Sequence, residues 1–511
     1  MKIALIADPH LSDVENTPQE EVLSWALSEL EALRPDACVW LGDITACGSP
    51  EAAMRFRKKT DALPFPSVTV VGNSDIRTPD TAPVLERFLS NYPCGLLVGD
   101  TRIVGVNTSH NCILPSERAR LSRLAVNEDV LLCTHQSPKH IDADSVSFLS
   151  GWMTELKKNG HRVLAWAHGH VHVFWQKEFE GVPTISVRAL DIDKNCGGNA
   201  HICLLDLDGS AALNVEQILY RRHDLESFDE EERREIADFL GVTCYNQTKV
   251  ERDMPFAIER GIRHLEWRDI REGELPLLER WRRAGGQTFS LHFPELSLDE
   301  RGLVGWQAFK AHSASARTAG ADMVTVHPPY LSNVIMLKGN AFEQLADAMA
   351  DALLPVAQAG IDILVENSHT QRGATDDTLK RQYGCTPAEV IGWRDALNER
   401  LGKGRCHLRL DVGHARNNEP LSQNYTLGKW YALTGADTRA YHLHQIGVDP
   451  RDYRMLNHHP IQGLHNGMIS FDGFLWAWRC RLLTHGPLIL EVREGDGACA
   501  TWDRLHRILQ A

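Results

Sequence analysis

The chain has 511 residues, 43% hydrophobic and 24% charged, with a formal net charge of −14. That length exceeds one ordinary domain, so two or three are expected, and no apolar run approaches the roughly 18 residues that a bilayer-spanning helix needs. The acidic balance argues against a broad electrostatic grip on nucleic acid, leaving room only for a local basic groove.

The N-terminus lacks the basic segment and cleavage site of a secretory signal. The twelve cysteines are scattered with no C-x-x-C pair, so a cytoplasmic protein with reduced thiols is expected. Histidine is abundant, with 24 copies, many of them just after apolar runs.

Met1 to His10 reads MKIALIADPH. Its apolar run, Ile3 to Ala7, is short and β-branched, which predicts a buried strand of a parallel sheet. Asp8 and His10 follow at a spacing of two, which on an extended chain points both to one side. A carboxylate and an imidazole presented together at a strand end suit a divalent metal. Thr17 to Leu33 has helical spacing behind a Thr-Pro start. DACVWLGD then predicts a strand ending at Gly42-Asp43, and a helix around Glu51 to Ala62 leads to SVTVVGNSD, ending at Gly72, Asn73, Ser74 and Asp75. DVLLCTHQSP ends at His135, and RVLAWAHGHVH ends at His170 and His172.

This ordered series of D-x-H, GD, GN, H and GHxH resembles the calcineurin-like metallophosphoesterases over roughly residues 1–222. The resemblance implies a four-layer αββα sandwich with a dinuclear centre of Mn, Fe, Ni or Zn. Asp8, His10, Asp43 and His172 would hold one ion, and Asp43, Asn73, His135 and His170 the other, with Asp43 bridging. Two such ions, about 3.5–4 Å apart, activate a bridging water and stabilise charge on phosphate oxygens. Members commonly carry a histidine after the asparagine to assist the leaving group, whereas this chain has Ser74. His110, in the SHNC segment, could supply that help, or is an ordinary surface histidine; a good leaving group would need none. His140 and His168 read as a loop residue and a strand-end neighbour.

Strands around His201 to Leu207 and Ala212 to Tyr220 close this part. The charged stretch that follows, read as a connector over 223–240, is either a link or the bottom cap of the next domain. From Gly241 to Ala511, apolar strands alternate with amphipathic helices. VTCYN, HLEWRD, TFSLHFP, DMVTVHPPY, DILVENSH, CHLRLDVGHA, AYHLHQIG and PLILEVREG supply eight βα units, the pattern of a (β/α)8 TIM barrel. Polar residues gather where the strands end: His292, His327, Glu366, Asp411, His414, His442, His444 and Glu491. Carboxylates at buried strand ends cost several kcal/mol unless paired or metal-bound, which favours a metal cluster.

This half resembles the xylose-isomerase-like barrels, the superfamily of sugar isomerases, sugar-phosphate epimerases and AP endonucleases. The resemblance implies a four-ligand core of Glu366, Asp411, His442 (preferred over His444) and Glu491, holding Zn or Mn. His292, His327, His414 and His459 are candidates for further ligands. Asn457 stands where an aspartate is expected, which argues for one or two ions rather than three. The expectation is a bifunctional enzyme acting on a small phosphorylated metabolite: a phosphoesterase followed by a barrel that isomerises, epimerises or hydrolyses a sugar or sugar phosphate. The alternatives are a DNA-repair nuclease and a regulatory protein with one decayed metal site.

Overall fold

The computed structural model describes residues 1–511 except 88–89, 125, 196, 208–212, 223–224, 245–246, 300–301, 333–339, 371–379, 450, 452–454, 465–466, 494–496 and 511. The chain divides into two compact units: Met1–Asp224 with Ser470–Gly473, and Leu225–Ile469 with Phe474–Ala511. Among the described residues, no helix is long and apolar enough to cross a membrane.

The first unit contains strands β1 (Lys2–Ile6), β2 (Ala37–Trp40), β3 (Ser67–Thr69), β4 (Leu96–Val98), β5 (Thr101–Val106), β6 (Asp129–Thr134), β7 (Val163–His168), β8 (Trp175–Phe179), β9 (Val182–Ser186), β10 (His201–Asp206) and β11 (Asn214–Leu219). They form two sheets, ordered β11-β10-β1-β2-β3 and β4-β5-β6-β7-β9-β8. The strands β1, β2 and β3 are parallel, so each connection must cross over the sheet, and helices α1 (Pro18–Leu33) and α2 (Pro50–Thr60) do so. Both start on proline, whose missing N–H costs nothing in a first turn, and Ser49 caps α2 by accepting the Ala52 N–H.

Alternation along the strands sorts side chains into layers. Ile3, Leu5, Val39 and Cys203 of one sheet share an apolar core with Leu131, Cys133, Ala165 and Ile185 of the other. Their neighbours face outward: Trp40 packs edge-on against Phe56 of α2 at 4.9 Å. On the other side, Val104, Leu132 and Trp166 pack with Leu121 of α3 (Pro115–Ser122) and with Leu149 and Met153 of α4 (Ala143–Lys158). The result is the four-layer αββα sandwich. The sequence pattern does not pick out β4, β5, β8 and β9. Arg102 and Gly105 interrupt β5, and β8 (WQKEF) is largely exposed.

In the second unit, α5 (Glu230–Phe239) carries a reciprocal capping box between Asp229 and Glu232. It runs directly into β12 (Leu240–Cys244) and packs against the helix Gly497–Gln510. The charged stretch thus lies with the barrel. Then follow β13 (His264–Trp267), β14 (Thr288–His292), β15 (Met323–Val326), β16 (Asp362–Glu366), β17 (Cys406–Asp411), β18 (Thr438–Leu443) and β19 (Leu488–Leu490). All pair in parallel, and β19 returns to β12, with Leu240 opposite Leu488, to close an eight-stranded barrel. Helices such as Ala341–Gln358 and Pro387–Leu401 form the crossovers. The five strand candidates of the N-terminal motif series and the eight of the barrel carry their polar residues at C-terminal ends, as both folds require of a site.

Candidate metal centres

In the first unit, Asp8, His10 and His172 bring ligand atoms within 4.8 Å of one another, and so do Asp43, His135 and His170. Asp43 lies between the two groups. Its Oδ2 is 3.8 Å from His10 Nε2, and its Oδ1 is 3.4 Å from His135 Nε2. Asn73 Oδ1 approaches the same His135 nitrogen at 3.0 Å. His135 Nδ1 donates to the Leu41 carbonyl at 2.8 Å, which points Nε2 toward Asp43.

The convergence of Asp8 and His10 has a different origin from an extended chain. Both adopt positive φ, 53° and 45°, as do Asp43 at 48°, His170 at 70° and His172 at 58°. Left-handed residues of this kind are uncommon and concentrate at functional sites. Here they fold the chain sharply back at each strand end, so that neighbouring residues look into one pocket. Gly72 is required by contact: a Cβ there would collide with the Asp43 backbone and carboxylate.

Electrostatics distinguishes the two aspartates. Burial pushes the Asp8 carboxyl well above the ordinary value, even though it accepts the His170 N–H at 3.0 Å. Burial also acts on Asp43, but His135, His10 and the Ser74 N–H outweigh it and hold the group well below the usual range. In turn His135, although buried, is raised to about 9 by Asp43 and Asp8.

Ser74 serves the site through its backbone. Its N–H donates to Asp43 Oδ1 at 2.8 Å, while its fully buried hydroxyl donates to the Thr45 carbonyl at 2.6 Å. The hydroxyl is therefore committed to the Thr45 carbonyl, away from proton transfer. His110 is exposed, with Nδ1 3.2 Å from Ser109 Oγ, and belongs to neither ligand group. His140 stands closer, its ring 5.2 Å from that of His170. Asp75 was not singled out from sequence. It accepts the N–H groups of Thr45 at 2.8 Å and Gly72 at 3.0 Å, pinning the loops after β2 and β3 together.

The barrel assembles three groups at its C-terminal face. Glu366, Asp411, His442 and Glu491 converge from four strand ends, and His292, His327 and Glu366 form a second group that shares Glu366. His414, His444 and His458 form the third. The Nδ1 atoms of these last three point at backbone carbonyls of Asn367 (3.2 Å), Gln445 (3.0 Å) and Glu491 (3.1 Å). For His414 and His458, donating there leaves Nε2 as an acceptor, the arrangement that orients metal-binding histidines, whereas His444 Nδ1 accepts the His458 N–H at 2.9 Å. His444 fits because residue 413 is glycine; a Cβ would overlap its ring.

Two expectations change. His459 joins none of the groups: its ring packs on Gly447, and His458 takes the place. His458 has φ 64°, and this left-handed turn breaks the alternation that would have pointed His459 inward. His442 and His444 do not compete, because each belongs to its own group. Asn457 accepts an amide N–H of Asn417 at 2.7 Å.

Sequence reading also missed Glu266 and Arg409, both fully buried in mid-barrel and paired to each other. Glu266 Oε1 lies 2.7 Å from His442 Nε2, whose Nδ1 faces Glu366 Oε1 at 2.8 Å and Glu491 Oε2 at 3.2 Å. Burial would raise Glu266, but Arg409 and His442 hold it far below the carboxylate range. Opposite charges inside the apolar runs HLEWRD and CHLRLD were the available signal.

Both halves present carboxylates and imidazoles in close mutual contact, a donor set that suits divalent Mn, Fe, Ni or Zn. Residues 1–174 match the sequence profile of the calcineurin-like phosphoesterase family. No curated protein matches the chain. Among solved structures, an L-ribulose 3-epimerase shares 13% identity over 53% of this chain and 92% of its own, with a TM-score of 0.39. A xylose isomerase-like TIM barrel protein from Mycobacterium smegmatis in complex with magnesium shares 14% over 51% and 87%, with a TM-score of 0.35. A dimetal phosphatase from Danio rerio shares 14% over 42% and 95%, with a TM-score of 0.32. The chain carries a calcineurin-like phosphoesterase domain followed by a closed, eight-stranded parallel α/β barrel.

Proposed function

We propose a bifunctional, metal-dependent enzyme. Its N-terminal domain hydrolyses a phosphate monoester or diester, and its barrel isomerises, epimerises or hydrolyses a sugar or sugar phosphate at a separate centre. The observation that carries the first part is Asp43, with one carboxylate oxygen facing each histidine set. Bound divalent ions would supply Lewis acidity toward phosphate oxygens and lower the pKa of water. The chain's own residues fix the geometry: the Ser74 N–H and Gly72 seat Asp43, and the Leu41 carbonyl orients His135. In the barrel, Glu366 belongs to two ligand groups and is the natural bridging carboxylate.

The histidine trio beside these groups favours a second reading for the barrel, a polynuclear phosphodiesterase acting on abasic DNA. Turnover of abasic duplex, compared with a sugar and sugar-phosphate panel, separates the two. For the N-terminal domain, Asp43→Asn should abolish hydrolysis of bis(p-nitrophenyl) phosphate while circular dichroism and melting temperature stay near those of the parent. Full activity in that variant would refute the assignment.

A further inference from the structure

Arg268 follows directly on β13, and Arg493 lies just beyond β19, the two strands that flank β12 in the barrel. Both guanidinium groups reach the same atom. Arg493 Nη2 is 2.7 Å from Glu491 Oε1, and Arg268 Nη2 is 3.9 Å from it. The other oxygen, Oε2, faces His442 Nδ1 at 3.2 Å and His458 Nδ1 at 3.7 Å. Glu491 therefore turns one oxygen to the ligand cluster and the other to two cations. Its side chain is 1% exposed, whereas those of Arg268 and Arg493 are 30% and 33% exposed. The Arg493 backbone is fixed as well, its N–H donating to the His458 carbonyl at 2.9 Å.

Two cations beside a carboxylate intended for a divalent ion weaken its hold on that ion. The arrangement becomes favourable when an anion sits there. With a single divalent ion among Glu366, Asp411 and Glu491, the arginines tip the local balance positive, and a second ion at His292, His327 and Glu366 tips it further. Guanidinium forks match the oxygen spacing of phosphate and bind it bidentately.

We propose that Arg268 and Arg493 recognise a phosphate group on the barrel's substrate, which makes that substrate a phosphorylated sugar rather than a neutral one. This rests on the barrel being a metal-dependent sugar-processing site. A small molecule is preferred to a nucleic acid because the net charge of −14 opposes a polyanion.

The test uses the full-length chain, metal-loaded, with Asp43→Asn in every sample to silence the N-terminal centre. Inorganic phosphate binding is measured by calorimetry, and metal content is measured on the same preparations. Arg268→Met/Arg493→Met should weaken phosphate binding at least tenfold with metal content unchanged, and the Lys/Lys pair should recover part of the loss. Equal phosphate affinity in the Met/Met protein would overturn the proposal. So would loss of metal from that protein, because the arginines would then merely hold Glu491 in place. If the parent proves to hold no barrel metal yet the Met/Met pair still abolishes phosphate binding, the arginine assignment stands and the metal reading falls. Abasic duplex binding more tightly than glucose 6-phosphate, with a steep salt dependence, would overturn the choice of a small molecule.

Discussion

Glu266 occupies the middle of a barrel strand, and its influence runs through His442. With Oε1 2.7 Å from Nε2, it accepts the ring N–H and presents Nδ1 to Glu366 and Glu491, so it acts as a positioning residue. Such partners typically change metal affinity by about 10–100-fold. Glu266→Gln should weaken barrel metal binding by about that factor in chelator competition and leave N-terminal metal unaffected; equal affinity would remove Glu266 from the account. At the opposite end of β13, His264 is buried, and that burial lowers its pKa from 6.5 to about 4. The unfolded chain therefore binds a proton at a higher pH than the folded one. The stability contributed by keeping His264 neutral is complete above 6.5 and declines as pH falls through the window down to about 4. By pH 5 the loss is about 2 kcal/mol. His264→Phe, which retains the stacking on Phe239, should flatten the fall in urea midpoint between pH 7.5 and pH 5. An unchanged slope would assign the acid sensitivity elsewhere.

The strand-end loops are the elements that make the site. Their ligands were readable in the sequence because each falls immediately after a short apolar run: Asp43 after ACVWLG, Glu366 after ILV, Asp411 after LRL. What was unreadable depended on backbone conformation or on long-range pairing. The left-handed φ of His458 exchanged it for His459, and the Glu266–Arg409 pair joins residues 143 apart in sequence. Strand β4 is only three residues long, and polar, glycine or proline residues interrupt β5, β8 and β9, so local preference is weak there and sheet pairing overrides it. Helix α5 shows the reverse case, a strong local signal. Its Asp229–Glu232 capping box is worth about 1 kcal/mol. Asp229→Ala should lower stability by roughly that amount and leave metal content unchanged. A loss of metal would show that α5 supports the barrel face more directly.

Across the whole molecule, two units of different architecture each gather their acidic and imidazole residues at the C-terminal ends of parallel strands. The N-terminal groups draw on strand ends of both sheets of the sandwich and the barrel groups on several barrel strands, so neither centre can form before its own unit has folded. Among the described residues, each N-terminal group is drawn from the first unit and each barrel group from the second. We propose that one chain thus holds two independent metal centres. The most direct measurement is metal content per chain by elemental analysis on the intact protein, on Asp43→Asn, on Glu491→Gln and on the double variant. With two independent centres, Asp43→Asn loses only N-terminal metal, Glu491→Gln loses only barrel metal, and the double variant shows the sum of the two losses. A full complement of metal in both single variants, or loss of all metal from either one, would contradict that proposal.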